Sequence, residues 1–482
     1  MAARLPTSYG APTYVGAMAG HGDTDNLHTR SIAEFVSGLT YGRIPAAVRE
    51  RIKLLILDSL GCAIYGADLE WCRILRVTLL KLDATRTNSV WGTGAKLSSD
   101  HAALVNGTQV QGFELDDVHR KAVLHVGAVT LPALIAIAES HAALSGRDFL
   151  TAAVAGYEIG PRVGLCMGQE HIGQGWHSGA TVGIFSAAAG AARALKLDAD
   201  QTVHALGIAG TQSSGLMAAQ YGAMVKRMHA GRAAQSGLYA ALLAANGFTG
   251  IVDVFEAPYG GFCTTFSRSQ DRFNLKELSS GLGEKFETMG IALKFYSCVG
   301  SNHTTLDALR DIRKRRPFKL DEIEEIIVHG SQVTVDHVGW PYRPEGLTAA
   351  QLNLPFCVAT LLIEGDVFVD EFKPDCVDDA ARIELSRKVK VVHDPAITAL
   401  GAAHRHKVCV EIRFSDGSAE TETREAPRGS EHSFASADDI VGKFRKLTRG
   451  VMGPAQQDAL VNAVLDVESL PDSKCLAELL QL

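Results

Sequence analysis

The chain has 482 residues and a formal net charge of −7, with 46 % hydrophobic and 21 % charged residues. This composition is typical of a compact soluble protein, and the length is too great for one ordinary core, so two domains are predicted. The acidic balance argues against nucleic acid as a partner, because nucleic-acid-binding proteins carry a basic surplus or stripe.

The N-terminal residues 1–27 are rich in Gly, Thr and Ala without periodicity, which predicts a loose or surface-wrapped tail. They lack the basic start and apolar block of a secretory signal, and no apolar stretch is long enough to span a membrane. The nine cysteines are scattered without a CxxC pair, which is typical of reduced thiols. We therefore expect a cytoplasmic protein that does not enter a membrane.

From residue 44 to about residue 250 the pattern is helical and rich in Ala and Gly. In the first helix Val48, Ile52, Ile56 and Leu60 recur at four-residue steps and form an apolar stripe behind Pro45, a residue suited to a helix start. The following stretches predict further helices: 97–117, 128–146, 148–164, 181–197, 198–210 and 225–247. Small residues at this density allow helices to approach one another closely.

The pattern changes near residue 290, where strand-like and helical stretches alternate. Strands are predicted over 290–298 and 323–335, a charged helix over 304–318, and a hairpin over 406–425 that turns at Asp416-Gly417. Two helices follow, over 436–450 and 453–470.

This order predicts a mainly α protein with an α+β lid. We expect a helical domain built from both ends of the chain, residues 1–288 and 433–482, with the α+β domain inserted at 289–432. A domain held by two connections can move as a lid, and clefts between domains are common sites for small molecules.

Cations stand out in "QYGAMVKRMHAGRAAQSG", residues 220–237, because charges are uncommon where backbones pack closely. Lys226 and His229 are three residues apart and share a helix face, whereas Arg227 is expected to point elsewhere. Lys294 is similarly out of place in the apolar stretch "IALKFYSC". Each could be a surface cation with its stem on apolar neighbours. Taken together with nearby histidines, they favour a pocket for a small polycarboxylate.

Two further stretches carry groups that can move protons. His177 lies in "GQGWHSGATVG", where glycines let a ligand approach the backbone, although a histidine bonded within a turn is the alternative. The stretch "FELDDVHRKAVLHVGA" contains acidic and imidazole groups that could form an acid/base set, cap helices or bind a metal. Their spacing matches no standard metal motif, so no metal is predicted. The members are Glu114, Asp116, Asp117, His119 and His125.

Other familiar chemistry is missing from the sequence. It has no dinucleotide fingerprint, no P-loop and no GxSxG nucleophile motif, so a redox cofactor is not predicted. Cys298 could be a nucleophile, but without a motif that lowers its pKa a buried structural thiol is favoured.

Six segments together resemble the MmgE/PrpD family, and the likeness runs from about residue 28 to the end of the chain. The segments are "ERIKLLILDSLGCAIYG", "NGTQVQGFELDDVH", "GWHSGATVG", "GTQSSGLMAAQYGAMVKRMHAGRAA", "YGGF" and "VEIRFSDGS". The family includes 2-methylcitrate dehydratase, cis-aconitate decarboxylase and iminodisuccinate epimerase. "GLMAAQYGAMVKR" and "GWHSG" are most similar to the fungal cis-aconitate decarboxylase branch.

The resemblance implies a two-domain homodimer that works without a cofactor. It implies a lyase, a dehydratase or decarboxylase, that acts on a small di- or tricarboxylate such as cis-aconitate or 2-methylcitrate by proton transfer next to a carboxylate. An epimerase of an aspartate-like dicarboxylate of the iminodisuccinate type is the alternative. A non-catalytic, ligand-binding member of the family is a second alternative.

The resemblance also implies roles for individual residues. It implies His125, His177, Lys226 and Lys294 as catalytic residues. It implies Glu114, Asp117, Lys226, His229 and Lys294 as substrate-binding residues. The chain departs from relatives at Val299, where animal proteins have His, at Cys357, aligned with a lid tyrosine, and at Val118, aligned with Thr. These departures leave the substrate and the reaction open.

Overall fold

The computed structural model of the protein describes residues 27–168, 170–221, 223–401 and 404–482. The predicted N-terminal tail therefore lies outside the described residues, apart from Leu27. The described chain is mainly helical with a small sheet in its C-terminal part, which confirms the predicted fold class. None of the described helices is long and apolar enough to cross a membrane.

Helices dominate both parts of the chain. The helices before residue 290 are α1 (Leu27–Gly38), α2 (Ala46–Gly66), α3 (Glu70–Leu82), α4 (Ser99–Val110), α5 (Val126–Ser140), α6 (Gly146–Met167), α7 (Glu170–Gly173), α8 (Ser178–Thr181), α9 (Gly183–Ala194), α10 (Ala199–Gly210), α11 (Val225–Ala245), α12 (Phe262–Ser267) and α13 (Lys276–Ser279). The later helices are α14 (Gly300–Arg315), α15 (Gln332–Val338), α16 (Leu347–Leu352), α17 (Leu354–Glu364), α18 (Pro374–Val377), α19 (Ala380–Ser386), α20 (Pro395–Ala399), α21 (Ala437–Thr448), α22 (Pro454–Leu465) and α23 (Lys474–Leu479).

The strands form two short pairs and one four-stranded sheet. They are β1 (Asn88–Ser89), β2 (Lys96–Leu97), β3 (Val118–His119), β4 (Ile291–Ala292), β5 (Ile323–Gly330), β6 (Val389–His393), β7 (Val408–Phe414) and β8 (Ala419–Arg424). The large sheet has the order β6-β5-β7-β8, with β5 and β6 parallel and the other pairs antiparallel. The predicted hairpin is confirmed, because Gly417 supplies the positive φ of 81° that the turn between β7 and β8 needs.

Glycines bring α4 and α11 into close contact, as the Ala/Gly-rich composition predicts. A Cβ atom placed on Gly107 would lie 2.7 Å from the Cα of Gly231, and one placed on Gly231 would collide with the backbone oxygen of Leu104. No larger side chain fits at this crossing. The contact fixes the position of α11, which carries the cationic stretch, against the acidic loop that follows α4.

The C-terminal helix α21 packs on α2, from the other end of the chain. A Cβ atom on Gly61 would lie 3.1 Å from the ring of Phe444, so the two helices touch closely here. Next to this contact Lys443 forms a buried ion pair with Asp58 at 2.6 Å and also donates to the backbone oxygen of Leu115. The exact domain boundaries and the motion of a lid stay predictions.

Several predicted elements extend too far, among them the helices predicted over 128–146 and 453–470, which end at Ser140 and Leu465. The strand predicted over 290–298 is only β4, because the next backbone N–H groups bond to scattered partners, with Leu293 donating to Gly429 and Ser297 to Val367. The strand predicted over 323–335 ends at Gly330, because Ser331 caps α15 by accepting from the N–H of Thr334. The helix predicted over 97–117 ends at Val110.

We expect Gly231→Ala to lower the free energy of unfolding by about 1–3 kcal/mol, because the added methyl group overpacks the α4–α11 crossing. Gly442→Ala is the matched control, since this helical glycine has no neighbour within 4 Å of an added Cβ, and alanine should stabilise it by about 0.5–1 kcal/mol. Chemical denaturation of both variants measures the difference, and an unaltered stability of Gly231→Ala would contradict the tight crossing.

Candidate active site

Glu114 is the centre of a buried group of charges. It lies in the loop after α4, and its φ of 56° places a residue that is not glycine in the left-handed region. One carboxylate oxygen lies 2.7 Å from Nζ of Lys226 and 2.6 Å from Nη1 of Arg227, and the other lies 3.4 Å from Nζ of Lys294. Residues from three separate segments therefore meet at a single carboxylate.

The prediction that Arg227 points away from Lys226 is wrong. The two Cα–Cβ bonds do diverge around α11, but a guanidinium on a three-carbon stem can reach around the helix. The positive charges decide the ionisation of Glu114. Burial alone would raise its pKa, but Lys226, Lys294 and Arg227 outweigh burial and hold the pKa well below its ordinary value. The side chain is therefore a carboxylate at neutral pH.

Asp116 pairs with the imidazole of His125. Its carboxylate is fully buried, with Oδ2 2.9 Å from Nδ1 of His125 and Oδ1 3.8 Å from Nζ of Lys294. The contact lacks hydrogen-bond geometry, since neither Nδ1 of His125 nor either Asp116 oxygen has a hydrogen-bond partner among the described residues, so it shows only that a carboxylate lies beside the ring. We call Glu114, Asp116, His125, Lys226, Arg227 and Lys294 the Glu114 cluster.

Asp117 has a different environment from its neighbour. It is fully buried and accepts the backbone N–H of Gly127 at 3.0 and 3.2 Å, in the first turn of α5. Burial, with a smaller contribution from Asp116, raises the pKa of Asp117 to about 7. The substrate-binding role implied for Asp117 stays a prediction, and the carboxylate supports the start of α5, next to His125.

His177 and His229 form a second imidazole pair. Their Nδ1 atoms are 3.1 Å apart, so one ring donates to the other. Burial, the neighbouring His229 and the nearby His125 and Lys226 hold the pKa of His177 well below its ordinary value. Burial and Lys226 also lower the pKa of His229. Both rings are therefore neutral near pH 7, which suits groups that pass protons rather than bind an anion by charge.

A cavity of about 370 Å³ opens at the Glu114 cluster. Its polar and glycine lining residues are Glu114, Arg120, His125, Lys294, Gly300, Ser301, His337, Arg405 and His406. Its apolar lining residues are Val118, Val123, Ile172, Met217, Val299 and Val333. Two of the three departures from relatives, Val118 and Val299, thus face the cavity. Cys357 does not line it and is buried, with its sulfur 3.4 Å from Nδ2 of Asn302.

Lys226 and Lys294 meet at Glu114 but line different cavities. Lys226 and Arg227 line a neighbouring space of about 500 Å³, together with Trp71 and Trp340. We take the smaller cavity as the candidate active site, because it is the one that contains Lys294 and an imidazole already paired with a carboxylate. The carboxylate of Glu114 pairs with Lys226 and Arg227 at one cavity and with Lys294 at the other, so it links the charges of the two cavities.

Several polar residues of the cavity were not predicted from the sequence. Arg405 and His406 come just before β7, His337 lies in α15 and Ser301 lies in the first turn of α14. These residues are far apart in the chain and belong to no local motif. The succession His404-Arg405-His406 before an alternating strand was the one local signal available.

Among the described residues, no group of three or more His, Cys, Asp or Glu side chains is arranged to hold a metal ion. The Glu114 cluster instead combines ammonium and guanidinium groups with carboxylates and an imidazole. Such an arrangement can bind a carboxylate, stabilise negative charge that develops beside it and deliver a proton.

Comparison with known proteins assigns the chain to a family. The MmgE/PrpD N-terminal domain matches residues 30–274, and the MmgE/PrpD C-terminal domain matches residues 296–468. The chain belongs to the MmgE/PrpD family. The resemblance predicted from the six sequence segments is thereby confirmed.

Relatives in this family align along almost the whole chain. The cis-aconitate decarboxylase-like protein oryM of Aspergillus oryzae is 36 % identical over 471 residues, 94 % of this chain and 96 % of that protein. A cis-aconitate decarboxylase of Aspergillus terreus is 34 % identical over 472 residues, 94 % of this chain and 95 % of that protein. The human cis-aconitate decarboxylase is 27 % identical, with 94 % of each chain covered. These relatives agree with the predicted fungal branch and with the predicted enzyme class, a lyase.

We expect Glu114→Gln to lower the free energy of unfolding by about 3 kcal/mol, because three largely buried cations lose their common counter-ion. Glu384→Gln, which breaks an exposed ion pair with Arg387, should cost less than about 1 kcal/mol. Chemical denaturation at pH 7 compares them, and equal losses in the two variants would contradict a central role for Glu114.

Asp117→Asn should weaken the pH dependence of stability. A carboxyl group whose folded pKa is raised binds its proton more tightly when folded, so its contribution to stability falls as pH rises from its unfolded value of about 4 towards about 7. The variant removes this loss. The fall in stability is measured as the difference between the unfolding free energies at pH 4.5 and 7.5, for wild type and variant. The same difference in both proteins would show that Asp117 is not the titrating group.

Proposed function

We propose that the protein is a lyase that acts on a small polycarboxylate, with cis-aconitate as the first candidate substrate and decarboxylation as the reaction. The names of the fungal and human relatives support this choice. The observation that carries it is the meeting of Lys226 and Lys294 at one carboxylate beside the His125–Asp116 pair. The same geometry suits a substrate carboxylate in the cavity next to Lys294.

In the proposed reaction the cations hold the substrate and stabilise charge. Loss of CO₂ breaks a carbon–carbon bond and leaves its electron pair on the substrate, spread over the double bond and a neighbouring carboxylate. Lys294, which lines the cavity, stabilises this enolate-like charge directly, and Lys226 acts through the carboxylate of Glu114 that both lysines share. His125 then delivers a proton to carbon, with the carboxylate of Asp116 2.9 Å from Nδ1 of its ring.

His177 is the second proposed proton-transfer residue, with His229 as its partner. Because the two rings share one hydrogen bond, a change in the protonation of His177 is coupled to His229. We propose that His229 orients His177 and that Glu114 holds both lysine side chains in place. No cofactor is assigned a step, since side chains of this chain supply both the charge stabilisation and the proton.

Two further properties implied by the sequence stay predictions. The family resemblance implies a homodimer, and the scattered, reduced thiols predict a cytoplasmic protein. The dehydratase, epimerase and non-catalytic alternatives are treated as outcomes of the assay below, because each leaves a different product.

The test is proton NMR in D₂O with cis-aconitate, citrate, 2-methylcitrate and iminodisuccinate as separate substrates. We expect loss of CO₂ from cis-aconitate with deuterium on the product carbon. His125→Gln should lower kcat by about 100-fold or more, and Lys294→Gln should lower kcat/KM strongly. His393→Gln, at the exposed last residue of β6, is the control and should behave as wild type.

The other outcomes are equally specific. Net loss or gain of water on citrate or 2-methylcitrate identifies a dehydratase. Exchange with scrambled stereochemistry, and no other product, identifies an epimerase. Binding without exchange identifies a ligand-binding protein. Full turnover of cis-aconitate by His125→Gln would refute the assigned proton donor even if the protein is a decarboxylase.

A further inference from the structure

A second set of polar groups lines the same cavity and has no role in the proposed reaction. It consists of Ser301, His337, Arg405 and His406, which we call the Arg405 cluster. These residues come from α14, α15 and the segment before β7, whereas the Glu114 cluster lies on other segments. The question is whether this cluster is a closed structural network or has capacity left for a ligand.

The neighbouring Arg120 is a guanidinium in this cavity whose charge and nitrogen atoms all have partners. It makes a two-pronged ion pair with Glu431, with N–O distances of 2.7 and 3.0 Å. Its remaining nitrogen, Nη1, lies 2.9 Å from Nδ1 of His406. Each of the three nitrogen atoms of this guanidinium therefore has a partner, and the carboxylate of Glu431 is already engaged in the ion pair with Arg120.

The contact with Arg120 also fixes the state of His406. A guanidinium can only donate, so Nδ1 of His406 accepts and the proton of the neutral ring lies on Nε2. His406 is only 7 % exposed. Burial and the nearby Arg405 and Arg120 hold its pKa well below the ordinary value, which agrees with a neutral ring. The ring therefore has one N–H donor left.

Arg405 differs from Arg120 because, in the described part of the chain, its guanidinium forms no ion pair, and only the more distant Glu431 opposes the effect of burial and of Arg120 on its pKa. Among the described residues, its guanidinium has no carboxylate within 4 Å and no side-chain hydrogen bond, although it is half-buried and lines the cavity. Burial and the like charge of Arg120 lower its pKa. A partly buried guanidinium with unused donors is costly in an empty site and suits a planar anion.

The start of α14 adds a third favourable element. This 16-residue helix begins at Gly300, directly after Val299, and Val299, Gly300 and Ser301 all line the cavity. The first N–H groups of a helix lack partners within the helix, and its positive end favours an anion. Ser301 contributes a hydroxyl group 3.3 Å from Nδ1 of His337.

We propose that Arg405, His406 and the first turn of α14 bind a second carboxylate of the substrate, separate from the carboxylate held near Lys294. The substrate then spans both clusters and must carry at least two carboxylates. Arg405 is the specificity-determining residue that selects a polycarboxylate over a monocarboxylate. This inference rests on the proposed function for the identity of the substrate, but its binding site can be tested without turnover.

The experiment measures equilibrium binding of tricarballylate and glutarate, saturated tri- and dicarboxylates that cannot undergo the proposed reaction, by isothermal titration calorimetry on the full chain. Arg405→Gln should weaken both by about 10- to 100-fold, the usual effect of losing charge-assisted hydrogen bonds. Arg405→Lys should lose less affinity for both ligands, because lysine keeps the positive charge. Arg387→Gln, at an exposed arginine paired with Glu384, is the matched control and should bind as wild type.

A further measurement locates the carboxylate. If Lys294 and Arg405 hold different carboxylates, the losses in Lys294→Gln and Arg405→Gln should multiply in the double variant. Thermal unfolding of each variant shows whether it is folded, and Arg405→Lys provides a conservative change if Arg405→Gln is not.

The inference is overturned if Arg405→Gln binds tricarballylate as tightly as wild type. It is also overturned if the effect of Arg405→Gln on tricarballylate binding vanishes in the Lys294→Gln background. Failure of the proposed function would look different. The protein would then not turn over cis-aconitate, yet Arg405→Gln would still weaken the binding of tricarballylate.

Discussion

The buried carboxylate of Glu114 is the interaction on which the rest of the site depends. Two ammonium groups and a guanidinium converge where water is largely excluded, and unpaired charges there would be very costly. Glu114 supplies the counter-charge and holds the cations in place before any substrate arrives. A substrate carboxylate must then either displace the Glu114 carboxylate from these cations or bind them together with it. Rate acceleration depends on charge that appears only as the reaction proceeds.

The fold holds these groups in place through contacts that leave little freedom. The glycine crossing of α4 and α11 sets the distance between the loop of Glu114 and the helix that carries Lys226. The two-residue pairing of β3 with β4 places the segment before Lys294 beside the segment after Asp117. Backbone contacts of this kind cannot adjust gradually, because a closely packed interior transmits a small shift rather than absorbing it. The charges are therefore positioned by steric constraint as well as by mutual attraction.

The sequence predicted the helices well where a long periodic pattern decides the structure, as in α2, α6 and α11. The predictions were wrong where contacts between distant parts of the chain override the local sequence pattern. The stretch around Lys294 has strand-like composition, but its backbone bonds one residue at a time to different segments. Arg227 was misplaced because helical spacing describes where a side chain starts and not how far it reaches. Arg405 and His337 could not be foreseen, since their neighbours in space are remote in sequence.

The formal charges around the cavity favour an anionic ligand with more than one carboxylate. In the Glu114 cluster three cations, of which Lys294 lines the cavity, face two carboxylates, and near Arg405 two guanidinium groups face the carboxylate of Glu431. Each cluster therefore has one formal positive charge in excess. A substrate that spans both clusters matches this excess with two ionised carboxylates, so the charge balance around the cavity and the proposed second carboxylate site point to the same class of ligand.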